Sequence, residues 1–388
     1  MIPFDNSSEN SNTEDDFEDI KNDNDNKKKN NNNIICSKNK EKDNYIFNDI
    51  DNLKKYLNEY SKDFDEKFEL LDKISSGSSG VVYRGQLRNN KNLKQYAFKF
   101  LYNNNKKKKY GKNSKEKNEK ECNNNNEYIT HMPLKNKHII SLYGCYKIQD
   151  HSCIFMEYAQ NGNLVNLKNE ILQKSSLSKS LLLYIAGGIL EALHYIHVNN
   201  KIIHMNIKQE NVLLDDYLNV KLTNFSVSIN YKNKTLKDTI PLPMAGTCYY
   251  MSPEVLGQKC IIASEASKID IYSLGVLLYY LAFNDYPYQL KDVNSKDHAQ
   301  IVKNILEHDL EFPKETKHSS LFLNFLKKCL NKDIKQRYDI CEAMNDSWIK
   351  GYQIIIDEKE KINDNSKFLN DLKDDNLKNF NEYLKKNE

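Results

Sequence analysis

The chain reads as an α+β protein in two unequal parts, a small β-rich part followed by a larger helical one. Two observations carry this reading. Between Phe68 and Phe100, short strand-like runs flank a Gly/Ser turn. Further on, apolar stretches suited to buried helices take over, at Leu181 to His197 and at Asp270 to Tyr280. With 39% hydrophobic and 29% charged residues, the composition supports a globular core plus polar additions. The net charge of +3 is too small for this length to argue for nucleic acid as a partner.

Cys36, Cys122, Cys145, Cys153, Cys248, Cys260, Cys329 and Cys341 are scattered, and no pair has the C-x-x-C spacing of a zinc or redox site. They are expected to be reduced thiols of an intracellular, cytoplasmic protein. The first residues lack a basic start followed by an apolar run, so no secretory signal is expected. The nearest thing to a membrane span, Leu181 to Val198, is interrupted by Glu191, His194 and His197 and reads better as a buried helix.

Residues 1–44 are Asn, Asp, Lys, Ser and Glu with little apolar content, too polar to offset the entropy of ordering. They are expected to be disordered, as a spacer or a regulatory tail. In 45–66, Ile46, Phe47, Ile50, Leu53, Tyr56, Leu57 and Tyr60 recur at helical spacing, which predicts an amphipathic helix lying against the domain that begins near residue 67. Phe68 to Ile74 predicts a strand, Ser75 to Gly80 a turn, and Val81 onward a second strand. In Tyr96-Ala97-Phe98-Lys99-Phe100, a lysine sits within an apolar run, where a buried ammonium needs a partner. Asn103 to Asn126 is a Lys/Asn-rich insertion, and the Asn run before Glu127 predicts a short helix. Residues 351–388 are charged, with Phe368, Leu369, Leu372, Leu377, Phe380 and Leu384 at roughly helical spacing, predicting a tail helix.

His204-Met205-Asn206-Ile207-Lys208-Gln209-Glu210-Asn211 and Asn224-Phe225-Ser226 resemble the H-R-D-x-K-x-x-N catalytic loop and the D-F-G turn of the eukaryotic protein kinases. Ser75 to Val82 is similar to their Gly-rich loop, with Ser75 for the first glycine. Gly246-Thr247-Cys248-Tyr249-Tyr250-Met251-Ser252-Pro253-Glu254 is close to the family's G-T-x-x-Y-x-A-P-E, and Asp270 to Gly275 matches its D-x-x-S-x-G helix. The resemblance spans 67–350. It implies a bilobal kinase-like fold, with an N-lobe at 67–157 and a C-lobe at 158–350.

The resemblance also implies a site. Gly77 and Gly80 would border ATP phosphates, and Lys99 would contact them while pairing with Glu127. Val82, Ala97 and Leu213 would sandwich adenine, Met156 would lie behind it, and the backbone of Glu157 to Ala159 would read its edge. Lys208 with Thr247 is the Ser/Thr-kinase form. Asp270 would bind backbone of the catalytic loop, and Arg337 would pair with Glu254.

The departures fall where the chemistry is. Asn206 stands at the position of the general base, and an amide cannot take a proton near neutral pH. Asn224 stands at the metal carboxylate, beside Asn211, the retained second metal position. Mg²⁺ or Mn²⁺ is therefore poorly served, since hard cations favour charged oxygens. Met205 replaces an arginine that pairs with phosphorylated activation segments, which removes that route for Thr235 or Thr239. His131 falls at an apolar spine position. The leading expectation is an ATP-binding pseudokinase, a scaffold or allosteric partner of a client kinase or substrate protein. The alternatives are an active Ser/Thr kinase with atypical Asn206 and Asn224, and a nucleotide-free interaction module.

Overall fold

The computed structural model describes residues 47, 49–89, 94–102, 126–149, 151–171, 177–290, 297–362 and 364–387. The polar tail at 1–44 and residues 103–125 of the insertion lie outside them.

Side-chain alternation in one strand divides the β-rich part into two cores. The strands are β1 (Phe68–Gly77), β2 (Gly80–Leu87), β3 (Gln95–Leu101), β4 (Leu142–Ile148) and β5 (His151–Glu157). They form one antiparallel sheet in the order β1-β2-β3-β5-β4. Along β3, Phe98 and Phe100 point to one face, and Ala97, Lys99 and Leu101 to the other. The first face joins Val81, Tyr83 and Cys153 under α1 (Ile50–Tyr60) and α2 (Lys62–Lys67), which bury Leu53, Leu57 and Phe64 on it, with Phe47 ahead of α1 in the same core. The second face gathers Ala97, Leu101, Ile154 and Met156 toward the helical part. The cross-strand register sets Val82 opposite Lys99 and Ala97 opposite Met156.

Three differences from the sequence reading concern element ends. The first strand continues through Ser75 to Gly77, because residues beyond Leu70 stay paired with β2 across two register shifts. The segment at 45–66 holds two helices, broken at Ser61, whose amide closes the first by bonding the Leu57 carbonyl. The third is in the tail.

The helical part is built on two helices buried all round, α5 (Lys179–His194) and α7 (Ser267–Phe283), separated in sequence by the short α6 (Pro253–Leu256) and preceded by α3 (Asn126–His131) and α4 (Leu164–Ile171). Among the described residues, one stretch is long and apolar enough to cross a membrane, Lys179–Asn199, and 78% of its apolar window is buried inside the fold. Its last turn, Tyr195–Asn199, is π-helical, where His197 reaches Asp270 at 2.8 Å. Then come α8 (His298–Glu307), α9 (Ser320–Cys329) and α10 (Ile340–Met344). The tail is α11 (Gly351–Lys361), α12 (Asn365–Lys373) and α13 (Lys378–Asn387), three helices where the spacing suggested one. Asp364 caps the second, and Asp375, with φ 53°, turns the chain before the third. Phe368, Leu372, Leu377, Phe380 and Leu384 are all buried in the main core.

Small antiparallel pairs deliver the polar loops to the cleft. β6 (Ile202–Ile203) and β7 (Val212–Leu214) bracket 204–211, and β8 (Val220–Leu222) and β9 (Ile229–Asn230) bracket 223–228. Because β6 pairs with β9 and β7 with β8, the two loops are held side by side. Further along, β10 (Thr239–Pro241) pairs with β11 (Cys260–Ile262).

Candidate functional site

Lys99 and Glu127 are 7% and 4% exposed, and burying either alone would be costly. They are buried together. Lys99 Nζ lies 2.7 Å from both Glu127 carboxylate oxygens and donates a third bond, at 3.3 Å, to Asn224 Oδ1. Glu127 sits on α3, described from Asn126 to His131, and the Asn run expected to shorten that helix lies outside the described residues up to Asn126. One turn on, His131 is buried with its Nε2 2.6 Å from the Ile140 carbonyl and its ring 4.6 Å from that of Phe225. Burial pushes the His131 imidazole down to about 4, so it is neutral.

The loop at 204–211 hangs from Asp270. One carboxylate accepts the amides of His204 and Met205 at 2.7 and 2.8 Å, as well as His197 Nε2. Met205, at φ 68°, buries its side chain in the core, where an arginine would need a charged partner. His204 Nε2 meets the Thr223 carbonyl and Nδ1 receives the Asn206 amide, a neutral tautomer consistent with its burial-lowered pKa. Lys208 Nζ donates to Thr247 Oγ1 at 3.0 Å.

The side-chain amides of Asn224 and Asn211 and the backbone carbonyl of Asn206 form one hydrogen-bonded chain. Asn211 Nδ2 donates to the Asn206 backbone carbonyl at 2.8 Å, and Asn224 Nδ2 donates to Asn211 Oδ1 at 3.1 Å. Asn224 Oδ1 accepts from Lys99 and, at 2.8 Å, from Ser226 Oγ. The orientations are mutually required. Turning Asn224 over would set its NH₂ against the Lys99 ammonium and its oxygen against that of Asn211. Asn224 holds φ 70°, a left-handed conformation that asparagine tolerates better than most residues.

The cation that the fold family implies is poorly matched by these residues. Both side-chain oxygens that would face it already accept N–H or O–H donors, and neither carries charge. Among the described residues, no group of three or more His, Cys, Asp or Glu could hold a metal ion.

The residues expected around adenine do come together. Ala97, Met156 and Ala159 are buried in one apolar cluster, with Val82 and Leu213 partly exposed against it. Glu157 turns its carboxylate away, accepting the Ser141 amide at 2.8 Å and pairing with Lys221 at 2.8 Å. That fixes the backbone between the lobes. Gly80 is dictated by packing, since a Cβ there would lie 2.1 Å from the Phe100 carbonyl oxygen. Gly77 is not, since a Cβ there would meet nothing within 4 Å.

Arg337 forks onto Glu254 with two bonds of 3.1 Å, and Trp348 packs on Phe322 and Phe325. Two contributors escaped the sequence reading. Lys221 carried the same signal as Lys99, a lysine within an apolar strand. Asn126 Nδ2, which donates to the Ser228 carbonyl at 3.2 Å, was hidden in the Asn run.

A family model described as the protein kinase domain matches residues 68–349. The chain is 29% identical over 296 residues to serine/threonine-protein kinase pakH of Dictyostelium discoideum, covering 75% of this chain and 51% of that protein. It is 28% identical over 232 residues to NUAK family SNF1-like kinase 1 of Homo sapiens, covering 60% and 32%. It is 32% identical over 197 residues to serine/threonine-protein kinase max-2 of Caenorhabditis elegans, covering 51% and 28%. The chain thus spans between 28% and 51% of the length of these relatives.

Proposed function

The chain belongs to the protein kinase domain family, and on that premise we propose that it is an ATP-binding pseudokinase, a signalling scaffold or allosteric partner of other proteins. The observation that carries the reading is the amide chain. A general base is worth on the order of 10²–10⁴ in rate, and Asn206 cannot act as one. Asn224 supplies no charge to a cation and spends its oxygen on Lys99 and Ser226. Around this defect, the Lys99–Glu127 pair, the apolar cluster and the Asp270 anchor support retained nucleotide binding. Client proteins would then be engaged by surface rather than by turnover.

A second reading, a slow Ser/Thr kinase, draws support from the formed Lys99–Glu127 pair and the Lys208–Thr247 bond, both of which a transfer-competent site would need. Labelled-ATP transfer by the full chain separates the two. The wild type should be silent, and Asn206→Asp, Asn224→Asp should raise transfer by about 10²-fold or more. Wild-type transfer that Lys99→Ala abolishes would make the chain an unorthodox kinase.

A further inference from the structure

Each oxygen that would ligate a cation in this cleft is already held by a donor of the chain itself. Asn211 Oδ1 receives Asn224 Nδ2, and Asn224 Oδ1 receives Lys99 Nζ and Ser226 Oγ. The chain runs from ammonium to amide to amide to backbone carbonyl with complementary polarity at every joint. A cation entering it would have to break the Asn224–Asn211 bond and lie close to the Lys99 ammonium. It would gain two neutral oxygens in return, a poor exchange for an ion that sheds water reluctantly.

The charge around the cleft changes in the same direction. With Asn206 and Asn224 neutral, neither position repels a polyphosphate. Lys99 would meet one as a pair with Glu127, and Lys208 lies on the same loop as Asn206. A cleft with carboxylates at those two positions needs a cation partly to hold phosphates against them, and here both carboxylates are gone.

We propose that this cleft takes its nucleotide as the free polyphosphate, without a divalent cation, and that the Asn224–Asn211 amide pair is what excludes the ion. The proposal rests on the reading of the cleft as an ATP site. The trigger is specific to this chain, since one carboxylate at position 224 would replace a donor NH₂ by a second acceptor oxygen facing Asn211 Oδ1, a pair that a cation would bridge.

The test is a fluorescence titration of the full chain with trinitrophenyl-ATP, once in excess EDTA and once in excess Mg²⁺, for wild type and Asn224→Asp. Displacement by unlabelled ATP in each buffer reports the natural nucleotide. Wild type should bind at least about tenfold more weakly in excess Mg²⁺, which ties up the free polyphosphate as its chelate, than in EDTA, whereas Asn224→Asp should bind at least about tenfold more tightly with Mg²⁺ than without, and equal wild-type binding in both buffers would overturn the exclusion. Wild-type binding seen only with Mg²⁺ overturns the inference and leaves the nucleotide site standing. Equal binding by Asn224→Asp in both buffers overturns the role given to the amide pair. Binding by neither protein in either buffer overturns the nucleotide site itself, and the inference with it.

Discussion

His131 shows how a single side chain ties the cleft to pH. Its ring lies between Phe225 and the Ile140 carbonyl, near Glu127, Lys99 and His204, and burial holds it at about 4 against an ordinary value of 6.5. Below 6.5 the unfolded chain takes a proton that the folded chain refuses. The stability this ring supports is therefore complete above 6.5 and falls as pH drops toward 4. The loss approaches about 3 kcal/mol across the window, at roughly 1.4 kcal/mol per unit. Burial also lowers His318, to about 4, and His204, so the wild-type slope is shared among them. His131→Leu isolates one share. Urea unfolding of wild type and variant, near neutrality and again in the acid window, should show wild type losing roughly 2–3 kcal/mol more than His131→Leu. Parallel losses would mean that the ring is protonated in the fold.

The tail helices are braced against the start of α5. Asp375 accepts the amides of Lys179 and Ser180 at 3.2 and 2.8 Å, satisfying donors that a helix start leaves open. Ser178 and Ser180 hydroxyls both donate to the Leu372 carbonyl. Phe380, at 0% exposure, packs in the same core. Phe380→Ala should cost about 3–5 kcal/mol in thermal or urea unfolding, and Asp375→Ala about 1–2 kcal/mol. A tail that merely rests on the surface would give losses near zero for both. The apolar members of this tail were readable from spacing. Its division into three helices was not, because breaks at Asp364 and Asp375 depend on backbone turns that polar residues permit without announcing. The buried helices and the motif loops were readable for the opposite reason, since continuous apolar runs and fixed motif offsets admit few alternatives. Lys99 and Glu127 could be paired across the insertion by motif register. The amide chain could not, because nothing in the spacing of Asn206, Asn211 and Asn224 says which amide donates to which.

The sheet and the helical part are joined across the cleft by bonds that involve no ligand. Lys99 reaches Asn224, Asn126 reaches the Ser228 carbonyl, and the His131 ring meets Phe225. Backbone bonds between Ile140 and Leu222 and between Leu222 and His138 run beside them. The described part of the helix that carries Glu127, Asn126–His131, is held to the helical part by these contacts. The Lys99–Glu127 pair is the most demanding of them, because losing one partner strands a buried charge at a cost of about 3–5 kcal/mol. Lys99→Met should therefore act locally. Hydrogen exchange at Thr130 to Met132, whose amides can bond back into the helix, should accelerate at least about tenfold, as expected for a helix that opens when its main bolt is gone. Amides of β2, β3 and β5, held by the sheet and its outer aromatic core, should keep their wild-type rates. Unchanged exchange in the helix would assign the join to Asn126 and His131 instead. Acceleration throughout the sheet would make Lys99 a determinant of the whole β-rich part rather than of the contact between its two neighbours.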